Sequence, residues 1–228
     1  MILAIAGAAQ ASTFSFAADS NFDGPILQGG PTTSNTSLIR DGSSQNSDGA
    51  VQVNFTWDPD GDGPGGSVVI PSRLELLASS TLYSKTNVAG IWIHTYTFQG
   101  SYEFRQQSDN VLVMAVQFGS AVWTSVSASE FTWGSTATLQ SSEQIDGSIA
   151  FASGAPLGFI DLSSSENFAF TLTDLRSLNG GGLVEIESDG TPRSLWKAEA
   201  SWSAQAVPAP GAMALTLIAG SLVLRRKR

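Results

Sequence analysis

The chain has 228 residues, of which 42% are hydrophobic and 14% charged, and its lack of cysteine excludes a fold held by disulfides. Four of the eleven basic residues occupy the last four positions, which leaves seven basic against twenty acidic residues upstream, a net charge of minus thirteen. A surface this acidic disfavours nucleic acid and anionic lipid as partners and is compatible with a soluble or cation-binding body.

The N-terminus has the pattern of an export signal. Residues 2–8 are apolar and are followed by Ala9, Gln10 and Ala11, a small-x-small pattern that predicts cleavage ahead of Ser12. The basic residues that normally precede such a stretch are absent, so we expect a signal peptide at residues 1–11 that is truncated. The alternative interpretation is a buried first strand.

The body between the two ends of the chain spans residues 12–206, a length that suits one large domain. Its first part, residues 19–46, is rich in Gly, Ser, Thr and Asn and holds few apolar side chains. This composition predicts long loops there.

Alternation of apolar and polar residues, the period of a half-buried strand, recurs along the rest of the body. It covers residues 51–57, 91–98, 168–172 and 196–202. Residues 111–118 are apolar at nearly every position, which indicates a central strand that is covered on both faces.

The spacing of these strands predicts the fold class. Asp-Gly and Gly-rich turn signals separate the strands, and only residues 73–79 have a composition that suits a short turn of helix. Strands at this spacing favour an all-β body, an antiparallel two-sheet sandwich of jelly-roll type rather than a barrel.

An acidic motif at residues 58–63 offers a candidate calcium site. Asp58, Asp60 and Asp62 alternate before a glycine, as in the first half of an EF-hand loop, and Ca²⁺ prefers such oxygen ligands. The second half does not follow that pattern, because Val69 occupies the position of the bidentate glutamate. The motif therefore predicts either calcium binding or an acidic turn after a strand.

A second pair of carboxylates belongs to Glu185 and Glu187. On a strand both side chains face the same way, at a separation of the kind that retaining glycosidases use. The stretch resembles an incomplete version of the Glu-x-Asp-x-x-Glu strand of laminarinase-type glycoside hydrolases. Paired glutamates are commoner on the exposed face of an edge strand, so the sequence favours that interpretation over catalysis.

Other catalytic sets are missing from the sequence. His94 is the only histidine, which excludes a metal site built from several imidazoles, and its place in an aromatic strand favours a packed or surface side chain over a Ser-His-Asp triad. We therefore expect a non-enzymatic body. Six tryptophans are expected mainly in the core, although an exposed row of them would stack on sugar rings: they are Trp57, Trp92, Trp123, Trp133, Trp196 and Trp202.

The composition of the C-terminal tail is typical of a membrane segment. Pro208 and Pro210 precede an uncharged run at residues 211–224, which as a helix is about 21 Å long against a hydrocarbon core of about 30 Å. Four basic residues then end the chain: Arg225, Arg226, Lys227 and Arg228. This cluster predicts a short transmembrane helix with a cytoplasmic C-terminus. The alternative is a buried amphipathic helix.

In this order, the elements of residues 207–228 resemble the PEP-CTERM sorting signal of Gram-negative bacteria. The motif is Val207, Pro208, Ala209 and Pro210, with alanine where the family has glutamate. The resemblance implies recognition by an exosortase-type processing enzyme, with cleavage near the prolines. It also implies transient anchoring in the inner membrane, followed by delivery to the cell surface or the extracellular space.

The sequence thus favours an exported, non-enzymatic surface or extracellular-matrix protein, with extracellular polysaccharide as a candidate partner and no nucleic acid. The alternative is a carbohydrate-binding β-sandwich module that is assisted by Ca²⁺, and the weaker hypothesis is a glycosidase.

Overall fold

The computed structural model describes residues 12–19, 22, 24–32, 36–45, 47, 49–59, 66–140, 149–157 and 165–206. The predicted signal peptide at residues 1–11 and the tail at residues 207–228, with its predicted helix at 211–224, lie outside this part, as do Asp60 and Asp62. Within the described residues, no helix has the length and apolar character needed to cross a membrane.

Eleven strands make up almost all of the described regular structure. Two short 3₁₀ turns are the other described elements. The strands are β1 (Ser12–Ala18), β2 (Leu27–Pro31), β3 (Ser37–Asp41), β4 (Val51–Asp58), β5 (Val68–Val88), β6 (Ile91–Gln106), β7 (Leu112–Ser127), β8 (Ala137–Gln140), β9 (Ile149–Ser153), β10 (Ser165–Ser177) and β11 (Trp196–Ala206). The prediction of an all-β body is confirmed.

Every pairing between these strands is antiparallel, and hydrogen bonds join all of them in one sheet. The path runs from β5 through β3, β2, β11, β10, β8 and β7 to β6, which pairs with β5 again. Strands β1 and β4 form a second link between β11 and β5, and β9 pairs with β7. The strand spacing predicted an antiparallel sandwich of two sheets, whereas this hydrogen bonding forms a single sheet.

The core lies inside this folded sheet because alternate side chains of each strand point inward. On β4, Val51, Val53 and Phe55 are fully buried, as their alternation predicted. Rings from strands that are not hydrogen-bonded neighbours meet in the interior: Phe16 of β1 lies 5.3 Å from Phe104 of β6, measured between ring centroids. Burying one such side chain stabilises the fold by roughly 1.5–3 kcal/mol.

Two expectations about local structure are wrong. Residues 19–46, expected to be loops, contain β2 and β3, which close the sheet between β11 and β5. Residues 73–79, expected to form a helical turn, belong to β5, where Leu74, Leu76 and Ala78 are buried and the residues between them point outward. Continuous pairing with β6, together with pairing to β4 or β3 at most positions on the other side, outweighs the weak local helix preference of this stretch.

Strand β5 changes its partner along its length. β4 pairs with it from Val68 to Leu74, and β3 takes over from Leu77 to Ser80. Glu75 and Leu76 therefore lie in a gap between the two partner strands, and this gap positions the site described next.

Candidate functional site

A groove of about 740 Å³ opens where β5 passes from β4 to β3, with β6 along its other side. It brings together three of the seven basic residues upstream of the tail and balances them with three acidic residues. We call it the arginine groove and define it by its six charged residues: Arg40, Asp41, Arg73, Glu75, Glu103 and Arg105.

The register of β5 and β6 sets like charges opposite each other in this groove. Arg73 pairs with Arg105, and Glu75 pairs with Glu103. These residues alternate with buried ones, so their side chains share the outer face of the sheet. Like charges directly opposite each other destabilise a strand pair, so this arrangement is not explained by sheet stability.

Arg105 is held by its neighbours. Its Nη2 donates to Glu103 Oε2 at 2.6 Å, its Nε lies 3.8 Å from Glu75 Oε2, and its Nη1 donates to the carbonyl of Asn110 at 3.3 Å. The guanidinium therefore links the two opposed glutamates, which balance its charge.

Asp41 closes the gap between β3 and β4. Its Oδ1 accepts a hydrogen bond from the Ser43 amide at 3.0 Å, and its Oδ2 accepts one from the Leu76 amide at 3.2 Å. Leu76 lies between the strand partners of β5, so its amide needs a side-chain acceptor. The carboxylate of Asp41 thus supports the groove wall.

Arg40 and Arg73 are the available cations of the groove. Both side chains are exposed, and neither makes an ion pair or side-chain hydrogen bond with a residue that the structure describes. Arg40 belongs to β3 and is in register with Leu77 of β5, whose side chain is 62% exposed. The groove therefore offers two free guanidinium groups, fixed carboxylates and an apolar side chain.

The predicted calcium motif lies apart from this groove. Asp58 is the last residue of β4 and is buried, while Asp60 and Asp62 lie outside the described residues. In the part of the chain that the structure describes, no three His, Cys, Asp or Glu side chains are arranged to hold a metal ion. Calcium binding stays a prediction.

Glu185 and Glu187 point to the same side, with buried Ile186 between them, but the stretch forms isolated β-bridges and not the edge strand that the sequence favoured. Arg193 lies beside both: its Nη1 is 3.4 Å from Glu185 Oε2, and its Nε is 3.1 Å from Glu187 Oε1. All three side chains are about half exposed or more. The pair thus forms a surface ion cluster around a cation.

His94 is fully buried on β6, so of the packed and surface placements that the sequence left open the packed one is correct. Its Nε2 donates a hydrogen bond to the carbonyl of Glu130 at 3.0 Å, and burial lowers the pKa of the imidazole. Ser125 lies opposite it on β7, but the Ser125 hydroxyl donates to Thr136 and accepts from the Gly134 amide. The geometry gives no support to a serine–histidine relay.

The tryptophans are mainly core residues, as expected. Four are buried, and Trp57 and Trp92 are half-buried. Trp133 Nε1 donates to the hydroxyl of Tyr96 at 2.7 Å, and this hydroxyl donates to the carbonyl of Gly190 at 3.0 Å. Burial raises the pKa of Tyr96 well above its ordinary value. These bonds attach the loop that carries Gly190 to the core.

The arginine groove is not predicted by any local pattern in the sequence. The only available signal was the scarcity of cations, since Arg40, Arg73 and Arg105 are three of seven in 206 residues. Their convergence depends on the pairing of β3, β5 and β6, which composition does not reveal.

Comparison with known proteins returns no matching family model, no matching curated protein and no matching solved structure.

Proposed function

We propose that this protein is an exported, non-enzymatic surface or extracellular-matrix protein whose β body presents a binding groove. The observation that carries the binding role is the pair of exposed arginines, Arg40 and Arg73, that line the groove without an ion-pair partner among the described residues. A cation without a partner gains nothing for the fold and is available to a ligand.

Export is supported by the two ends of the sequence. The small-x-small site before Ser12 and the motif from Val207 to Pro210, followed by an apolar run and a basic cluster, fit a route through the inner membrane. An exosortase-type enzyme is the processing partner on this proposal, and the released body reaches the cell surface or matrix.

The non-enzymatic part of the proposal is supported by the state of the candidate groups. His94 is enclosed and bonded to a backbone carbonyl. Glu185 and Glu187 surround Arg193, whereas a retaining glycosidase needs one carboxyl group protonated and a second free to attack. These arrangements suit packing and surface charge better than proton transfer.

We also propose that the closed sheet works as a flattened, sandwich-like platform. Tyr102 of β6 lies 5.9 Å from Trp202 of β11, and Phe16 of β1 lies 5.3 Å from Phe104 of β6, measured between ring centroids. Contacts of this kind tie opposite walls of the sheet together and support a rigid outer face.

The alternative of a carbohydrate-binding module is favoured by the composition of the groove, which combines guanidinium groups, carboxylates and an exposed leucine. Calcium assistance through Asp58, Asp60 and Asp62 is a separate hypothesis. It predicts a rise in melting temperature on adding Ca²⁺ that is lost on adding chelator and absent in the Asp60→Ala variant. An equal rise in that variant, or none in the wild type, contradicts it.

Cell fractionation with mass spectrometry of the mature termini, in the native host, tests the export proposal. We expect an N-terminus near Ser12, a C-terminus near Pro208 and the body in the surface or extracellular fraction. As a control, replacing Pro208 and Pro210 with alanine should leave the tail attached and the protein in the membrane fraction. A cytoplasmic protein with both ends intact would contradict the proposal.

A further inference from the structure

We propose that the arginine groove binds an acidic polysaccharide, with Arg40 and Arg73 pairing with carboxylates that are spaced along the sugar chain. This inference rests on the proposed function, because it names the ligand class of the groove in that surface protein. It is argued from four properties of the groove: free cations, their separation, the fixed carboxylates beside them and an apolar contact.

The free cations select an anionic ligand. Arg40 and Arg73 are exposed and have no ion-pair partner among the described residues, whereas Arg105 is engaged by Glu103 and Glu75. A guanidinium group binds a carboxylate through two parallel hydrogen bonds, which is stronger and more specific than a contact with a neutral acceptor.

The separation of the two cations selects an extended ligand. Arg40 is in register with Leu77 on β5, and Arg73 lies four residues earlier on the same strand. At about 3.3 Å per residue, the two positions are about 13 Å apart along β5. Guanidinium groups carried on positions this far apart along the groove suit a ligand with repeated anionic groups, each of which pairs with one of the two arginines.

The fixed carboxylates exclude a polymer of high charge density. Asp41, Glu75 and Glu103 line the same groove, and the chain upstream of the tail carries a net charge of minus thirteen. Double-stranded DNA carries one negative charge per about 1.7 Å of its axis, so it would meet repulsion along the whole groove. A sugar chain instead offers hydroxyls, which donate hydrogen bonds to carboxylates.

An exposed apolar side chain completes the match. Leu77 is 62% exposed and lies in register between Arg40 of β3 and Ser101 of β6. The carbon–hydrogen face of a pyranose ring gains by covering such a surface. The opposed pair of Arg73 and Arg105 also fits a binding role, because departures from local stability rules are expected at functional sites.

Titration calorimetry on the full-length protein in detergent tests this inference with three probes: oligogalacturonate, the same oligomer fully methyl-esterified, and inorganic polyphosphate. We expect binding of the acidic oligomer, weakening at high salt, and no measurable binding of the ester or of polyphosphate. Arg40→Gln and Arg73→Gln should each weaken binding about tenfold or more, because each removes a charged hydrogen-bonding partner.

Arg193→Gln is the matched control, since it makes the same change in net charge on an exposed arginine outside the groove. It should bind as the wild type does, and circular dichroism should show that all three variants are folded. Equal binding of the acidic and esterified oligomers, stronger binding of polyphosphate, no binding at all, or an equal loss in Arg193→Gln would overturn the inference. The export proposal is tested separately by the mature termini, so each can fail alone.

Discussion

Arg73 on β5 lies directly opposite Arg105 on β6, and the next pair on the same face sets Glu75 opposite Glu103. Arg105 reduces the second repulsion by contacting both glutamates, but Arg73 has no ion-pair partner among the described residues. The outer face of the sheet therefore carries an arginine whose charge no described residue balances. Replacing Arg73 should therefore increase the stability of the fold while it weakens binding of the ligand.

We predict that Arg73→Gln raises the free energy of unfolding, because it removes one of two like charges in register. The expected gain is about 0.2–1 kcal/mol at low salt and smaller at high salt, as is typical of cross-strand charge pairs. Urea unfolding midpoints measure it. Arg193→Gln, which removes favourable exposed ion pairs, should not stabilise the protein. A loss of stability in Arg73→Gln would contradict the prediction.

Most of the long strands could be predicted from the sequence because they bury one face. The alternation of Val51, Val53 and Phe55 on β4 is an example, and all three are fully buried. β2 is not predicted because its buried face contains glycine: a Cβ at Gly29 would clash with Cζ2 of Trp196. Because glycine has no side chain, a glycine that is buried under a tryptophan adds no apolar residue to the alternating pattern.

The candidate site could be predicted only in part, because it depends on strand register. Arg73 and Arg105 are 32 residues apart in the sequence, and no local pattern places them opposite each other. The pair Glu185 and Glu187 was correctly expected to share a face, because alternation is a local property. The position of Arg193 beside the two glutamates depends on the turn between Glu187 and Arg193, and local alternation does not predict that turn.

We predict that Tyr96→Phe destabilises the protein by about 2 kcal/mol, since it leaves Trp133 Nε1 without its acceptor and the carbonyl of Gly190 without its donor. For a body of this length the melting temperature should fall by about 4–8 °C, measured by calorimetry. Tyr83→Phe is the control, because Tyr83 is 62% exposed and should change stability by less than about 0.5 kcal/mol. Equal effects of the two substitutions would show that the buried hydrogen bonds are unimportant.

The stability of the protein should depend on pH through His94, whose pKa is lowered first by burial and further by the charge of Lys85, against the opposing effect of Glu130. The folded state thus favours neutral imidazole, while the unfolded chain takes up a proton near its ordinary pKa of about 6.5. The stability that comes from keeping His94 neutral is therefore fully present above about pH 6.5. It is lost as the pH falls from there toward the lower pKa of the folded state.

Two measurements check the His94 prediction. His94 is the only histidine, so its imidazole signal in the NMR spectrum is assigned without ambiguity and should titrate below pH 6.5. In His94→Asn, which keeps a donor for the carbonyl of Glu130, the part of the stability loss that arises just below pH 6.5 should disappear. A titration midpoint at or above 6.5, or an unchanged slope in the variant, would contradict the prediction.

Two glycines with similar backbone angles should respond differently to alanine. Gly190 has φ of +84° and Gly90 has φ of +87°, so both substitutions strain the backbone by about 1 kcal/mol. A Cβ at Gly90 has nothing within 4 Å, whereas one at Gly190 would lie 2.7 Å from the Cβ of Leu82. Gly190→Ala should therefore cost about 1–3 kcal/mol more than Gly90→Ala.

Urea unfolding of the two alanine variants measures the difference in their free energies of unfolding. Combining each variant with Tyr96→Phe then tests whether the extra cost of Gly190→Ala comes from displacement of the loop. The carbonyl of Gly190 accepts the Tyr96 hydroxyl, so displacement of the loop by the new methyl group should already weaken that hydrogen bond. Tyr96→Phe should then cost less in the Gly190→Ala background than in the wild type, and the same in the Gly90→Ala background. Strict additivity in both backgrounds would mean that Leu82 yields to the methyl group and that the loop keeps its place on the core.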